Sequence, residues 1–143
     1  MAHDYDSTNI FARILRGEIH NKTVMETDHT LAFHDINPAA PVHVLVIPKG
    51  PYVTFDHFAA AASAEEITDF HRTAAAVCAL VGVAPGEGYR AITNAGAHGM
   101  QEVPHYHLHI LGGRVLGRLV ERRLHAAGAQ VGFRFNSFIA LAL

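Results

Sequence analysis

The stretch His105-Tyr106-His107-Leu108-His109-Ile110-Leu111-Gly112-Gly113-Arg114 alternates imidazole rings with bulky apolar side chains before ending in two glycines and an arginine. An extended strand turns successive side chains to opposite faces, so the pattern sets His105, His107 and His109 on one face, with Tyr106, Leu108 and Ile110 packed behind it. Imidazoles near neutral pKa can serve as nucleophiles, proton donors or metal ligands, and geometry decides among these. At a rise of about 3.3 Å per residue, His105 and His109 stand roughly 13 Å apart along the backbone, whereas a zinc-bound nitrogen lies about 2.1 Å from its ion. One metal can hardly take all three rings. The sequence has no CxxC, HExxH or carboxylate triad beside them to complete a site around two. A histidine nucleophile held by its neighbours fits better, with no metal and no cofactor expected; a metal on two of the rings with a third ligand from elsewhere, and three ordinary polar strand residues, are the alternatives.

Composition bounds the rest. A chain of 143 residues, 50% hydrophobic and 17% charged, is one domain's length and reads as globular. Eleven basic and thirteen acidic side chains give a net charge of −2, so no global field draws it to nucleic acid or to an anionic membrane, and phosphate recognition must be local. The single cysteine, Cys78, excludes an internal disulfide and fits a reducing compartment. The N-terminus lacks the basic start and apolar core of a signal peptide, and no stretch reaches membrane-spanning length, so the cytoplasm is the expected location.

Residues 1–8 read as a flexible lead-in. Asn9 looks like the N-cap of a short helix whose apolar stripe is Ile10, Phe11, Ile14 and Leu15, with Gly17 as its stop. Strands are expected over Thr23 to Glu26 and Thr30 to His34, joined by a turn at Asp28-His29. A proline-bounded loop from Asp35 to Pro41 leads into the strongly β-prone Val42-His43-Val44-Leu45-Val46-Ile47. His43 in that run reads as either a hydrogen-bonded core residue or part of a site. Residues 52–58 carry no firm assignment. Ser63-Ala64-Glu65-Glu66 is a capping box that opens a long helix ending near Gly82, and Tyr89 to Asn94 reads as a further strand. Ala95-Gly96-Ala97-His98-Gly99 is small enough for backbone amides to approach an anion closely. The tail suggests a basic amphipathic helix through Leu116, Leu119, Val120 and Leu124 with Arg118, Arg122 and Arg123, followed by an apolar run from Phe133 to Leu143.

These motifs together resemble the histidine triad (HIT) family of nucleotide hydrolases and transferases, and within it the Hint branch. The resemblance rests on the triad, on Leu111-Gly112-Gly113-Arg114, on Asn94, Gln101 and Glu102, on Asp35-Ile36-Asn37-Pro38, on Pro41-Val42-His43 and on the Ile10-Phe11 helix. It implies one HIT domain over residues 9–118; the C-terminal extension over 119–143 departs from the family and is expected to pack on the dimer because so much exposed apolar area would aggregate, with weak anchoring to another surface and disorder as the alternatives. The implied fold is α+β, an antiparallel sheet of about five strands with a long helix and a short N-terminal helix, the sheet continuing across a homodimer.

The resemblance further implies a site for a purine nucleoside monophosphate or phosphoramidate. Phe11, Ile14 and Ile36 would flank the base and Asp35 would bind the ribose hydroxyls. His107 would attack the α-phosphorus, His109 would meet phosphate oxygens or the leaving group, and His105 with His43 would form a supporting relay. Asn94, Gln101 and the backbone near Gly99 would hold phosphate oxygens. Glu102 would either relay the leaving-group proton or shape leaving-group preference. The implied activity is hydrolysis of nucleoside phosphoramidates or acyl-nucleotides. A dinucleoside polyphosphate hydrolase and a nucleotide-binding regulator with incidental hydrolysis are the alternatives.

Overall fold

The computed structural model describes residues 3–120. Its elements run α1 (Ile10–Leu15), β1 (Thr23–Glu26), β2 (Thr30–His34), β3 (Val42–Pro48), α2 (Phe55–Ala61), α3 (Ala64–Leu80), β4 (Tyr89–Ile92) and β5 (Leu108–Gly112). The five strands form one antiparallel sheet in the order β1-β2-β3-β5-β4, the α+β architecture expected from the sequence.

The sheet divides two apolar layers because alternate residues of each strand point to opposite faces. Ala32, Val44, Val46, Tyr106 and Ile110 pack with Phe58 of α2 and with Phe70, Val77 and Cys78 of α3. On the other face Leu31, Phe33, Leu45 and Ile47 pack against Phe11 and Ile14 of α1. The long helix starts where the capping box places it: the Ser63 side chain accepts from Glu66 N–H, and the Glu66 carboxylate accepts from Ser63 N–H. Its Asp69 takes hydrogen bonds from the hydroxyls of Thr27 and Thr30, which ties α3 to the β1–β2 hairpin.

Four local features depart from the sequence reading. Residues 55–61, in the stretch without an assignment, form α2, capped by the Thr54 side chain accepting from His57 N–H. The pairing of β5 begins only at Leu108, so His105 and His107 lie in the irregular lead-in to the strand and His109 lies within it. The tail helix does not begin at Leu116: residues 116–120 are non-helical, with Gly117 at φ +81°. The rest of that expectation, and the apolar ending, lie outside the described residues. The lead-in, expected to be flexible, carries side-chain contacts from His3 to Thr8. Among the described residues no helix is long and apolar enough to cross a membrane.

Candidate active site

The strand register brings the histidines together. Across β3 and β5, His43 stands opposite Leu111 and Leu45 opposite His109, so His43 and His109 are diagonal neighbours on one face. His43 Nε2 lies 2.9 Å from His109 Nδ1. The sequence reading pairs His43 with His105; the structure pairs it with His109, because the diagonal position on the sheet belongs to the residue inside β5.

Neutral imidazole carries one proton, so each fixed partner settles where it sits. Ala39 N–H donates to His43 Nδ1 at 3.0 Å, which leaves the His43 proton on Nε2. His43 Nε2–H then donates to His109 Nδ1, and the His109 proton must be on Nε2. That Nε2 is buried and, among the described residues, has no hydrogen-bond partner. A buried donor without a partner costs about 1–3 kcal/mol, a cost that a ligand accepting from it would remove. On the other side of the cluster, His107 Nδ1–H donates to the carbonyl of His105 at 2.7 Å, leaving an unshared pair on His107 Nε2. The His107 carbonyl accepts from the Thr93 hydroxyl at 2.8 Å. His105 Nε2–H donates to the Pro48 carbonyl at 2.7 Å, and its Nδ1 accepts from the Tyr5 hydroxyl at 2.5 Å.

All of these rings are sheltered: His105 and His109 are fully buried, and His107 and His43 are each 2% exposed. Burial disfavours the charged ring. It lowers the pKa of His105 to about 4, with the Pro48 carbonyl opposing the shift. Burial, reinforced by His107 and His43, takes His109 down to about 2. Burial also lowers His107 against the pull of the His105 carbonyl and Asp35, and lowers His43 against the pull of Asp35. The four rings are therefore neutral at pH 7.

Asp35, at the end of β2, places Oδ2 3.5 Å from His43 Nε2, while its Oδ1 caps the following loop by accepting from Asn37 N–H at 2.8 Å. Asp35, His43 and His109 each offer a ligand atom, all within 4.8 Å of one another. The protons do not suit an ion there. With Ala39 N–H on His43 Nδ1, a neutral His43 ring has no second lone pair to give from Nε2, so the set fits a proton chain better than a metal.

The remaining candidates fall into two groups. Phe11 meets His107 edge-on at 5.0 Å between ring centroids and His105 at 6.2 Å. Phe11 and Ile14 are buried in the layer under α1, while Ile36 is 83% exposed. Gln101 does not present a free amide: its Nε2 donates to the carbonyls of Val53 and Val103, and its Oε1 accepts from Gly96 N–H. It braces the 95–103 loop. Gly99 closes that loop so tightly that a Cβ there would meet the Ala95 carbonyl at 2.6 Å. Asn94 is half-buried just after β4, and Glu102 is exposed. Sequence reasoning missed Thr93 and Tyr5. Neither carries a periodicity or motif that ties it to the triad, and both reach it only through the folded chain.

This arrangement joins a nucleophilic nitrogen to a buried donor in a neutral cluster, the two groups that a two-step displacement needs. The family model described as "HIT domain" matches residues 16–116. An uncharacterised 13.2 kDa HIT-like protein of Azospirillum brasilense is 52% identical over 122 residues, covering 85% of this chain and 99% of its own. The purine nucleoside phosphoramidase of Escherichia coli K12 is 39% identical over 114 residues, covering 80% of this chain and 94% of its own. The structure of a HIT family hydrolase from Clostridium thermocellum superposes with a TM-score of 0.73 at 36% identity, covering 81% of this chain and 99% of that one.

Proposed function

The chain belongs to the HIT family, as a HIT family hydrolase, and on that footing we propose that it cleaves nucleoside 5′-phosphoramidates or acyl-nucleotides to nucleoside monophosphates through a nucleotidyl intermediate on His107. The observation that carries the reading is the pair of fixed tautomers: His107 Nε2 holds a lone pair, and His109 Nε2 holds a proton with no partner among the described residues. The name of the Escherichia coli relative supports a phosphorus–nitrogen bond as the target and a purine nucleoside as the group carried.

In the first step His107 Nε2 forms a bond to the α-phosphorus and the P–N bond breaks, its electron pair leaving with nitrogen. The departing amine takes the proton of His109 Nε2, and solvent returns one to the hydrogen-bonded His109–His43 pair, so both rings stay neutral while the phosphorylated His107 carries the positive charge, its ring centroid 5.0 Å from that of His109. In the second step water attacks phosphorus, its proton returns to solvent through the same pair, and His107 leaves neutral. Splitting one displacement into two suits a phosphorus centre that water attacks slowly.

For the nucleotide, Phe11, Ile14 and the exposed Ile36 are the apolar contacts proposed for the base. Asp35 retains acceptor capacity for a ribose diol beyond the hydrogen bond it takes from Asn37 N–H. Asn94 and the amides near Gly99 are proposed for phosphate oxygens, with Gln101 shaping their loop and Glu102 at its exposed end. The leading test is release of AMP from adenosine phosphoramidate, compared with turnover of a dinucleoside polyphosphate. Preference for the phosphoramidate and complete loss in His107→Ala are expected; no release by the wild type would overturn the reading.

The same reading includes a homodimer. Strand β4 is a sheet edge, and beside it runs an open groove of about 370 Å³ lined by Phe55, Phe70, Cys78, Tyr89, Tyr106 and Ile110. An edge strand next to an apolar groove is a surface that proteins cover.

A further inference from the structure

We propose that Tyr5 is a positioning residue for the nucleophile: its hydroxyl, donated to His105 Nδ1, locks His105 as the neutral Nε2–H tautomer and so holds the carbonyl that orients His107. The proposal rests on the hydrolase reading for its kinetic part alone. It stands on a continuous set of bonds. The Tyr5 hydroxyl reaches His105 Nδ1 at 2.5 Å, and the two rings meet edge to face at 5.5 Å. His105 Nε2–H goes to the Pro48 carbonyl, and the His105 carbonyl takes the proton of His107 Nδ1.

With Tyr5 in place His105 is fully buried, so Tyr5→Phe, which keeps the ring over it, takes away the donor that its Nδ1 has. An unpaired buried acceptor costs free energy, and a ring whose Nε2–H stays on the Pro48 carbonyl relieves that cost by taking up a proton at Nδ1. Protonation puts a cation against the ring that must attack as a neutral group.

Tyr5 is suited to the donor's part and is held in place. Burial raises its pKa above the ordinary phenol value, so the proton stays on oxygen. On one side His3 stacks on His57 with centroids 4.3 Å apart. On the other, the Asp6 carbonyl accepts from Asn9 Nδ2–H at 2.7 Å, and the Ser7 carbonyl accepts from Arg16 at 2.8 Å. Asn9 in turn caps α1, the helix whose Phe11 meets His107 and His105 edge-on. The groups facing His105 are Tyr5, Phe11, His107 and the Pro48 carbonyl; His107 is the titratable neighbour that opposes a charge on it.

The test is Tyr5→Phe, which keeps the ring and removes one O–H, with Tyr5→Ala beside it. Two readouts are taken: nitrogen NMR of the His105 ring, and kcat and KM for adenosine phosphoramidate across pH. The phenylalanine variant is expected to lose the single Nε2–H form of His105. Its kcat should fall about tenfold with KM within about twofold, and the acid limb of its pH profile should move to higher pH. Tyr5→Ala should lose no less. A phenylalanine variant whose His105 keeps the wild-type tautomer overturns the proposal, whatever its rate. So does one with an altered tautomer and unchanged kcat over the whole pH range. The NMR comparison needs no turnover: an inactive wild type sinks the hydrolase reading, while the His105 spectrum still decides whether Tyr5 sets the tautomer.

Discussion

At the scale of single residues, the site depends on protons being held where backbone groups put them. Ala39 N–H and the His105 carbonyl give neighbouring imidazoles opposite assignments, a donor at His109 Nε2 and a lone pair at His107 Nε2. If His109 supplies the leaving-group proton, His109→Gln should lose about 10²- to 10⁴-fold in kcat on an alkylamine phosphoramidate. It should lose far less on a p-nitrophenyl ester, whose leaving group departs without a proton; equal losses on both would remove that role. His43 acts through His109, so His43→Ala and His109→Gln should be non-additive in a double-mutant cycle. Stability should report the same protons. The folded-state pKa values of His43, His105, His107 and His109 lie below the ordinary 6.5, so below that pH the unfolded chain binds more protons than the folded one. Their contribution is full above pH 6.5. It is lost as pH falls from there towards the folded values, at up to about 1.4 kcal/mol per pH unit for each ring, which urea titrations between pH 7.5 and about 5 would measure.

At the scale of elements, each part of the fold has a local cause that can be perturbed separately. Ser63→Ala removes half of the capping box of α3 and should cost about 0.5–2 kcal/mol in thermal or denaturant unfolding, leaving kcat untouched because α3 packs on the face opposite the triad. These elements are also where the sequence is most and least legible. Period-two runs, a capping box and an N-cap asparagine are local signals, so α1, α3 and the strands can be read directly. The helix at Phe55–Ala61 was not legible because a seven-residue segment with one buried residue carries too little periodicity. The triad reads as one strand by alternation, yet its first two histidines precede the pairing. The His43–His109 contact, the Thr93 bond to the His107 carbonyl and the Tyr5 bond to His105 join residues 66, 14 and 100 positions apart. No spacing rule links them, since register and chain path create these contacts. Gln101 is a site residue by resemblance alone; its amide is spent on three backbone partners, so in the proposed site it acts through the loop it braces.

At the scale of the whole molecule, one sheet separates two tasks. The face under α3 carries the larger apolar layer, and the face under α1 carries the histidines, so the chemistry sits on a support that packing alone determines. The open edge and groove along β4 lead to a further expectation: sedimentation should give a dimer, and Ala91→Arg, in the groove lining, should shift it towards a monomer. A wild type that sediments as a monomer at high concentration would contradict this. The central claim is that His107 is the nucleophile, and its most direct measurement is mass analysis of protein quenched during turnover of a slow adenosine phosphoramidate analogue. The account predicts an added adenylyl mass on the peptide carrying His107, absent in His107→Ala and lost on longer incubation. Turnover with no adduct at any quench time, or an adduct on His105 or His109 instead, would contradict it.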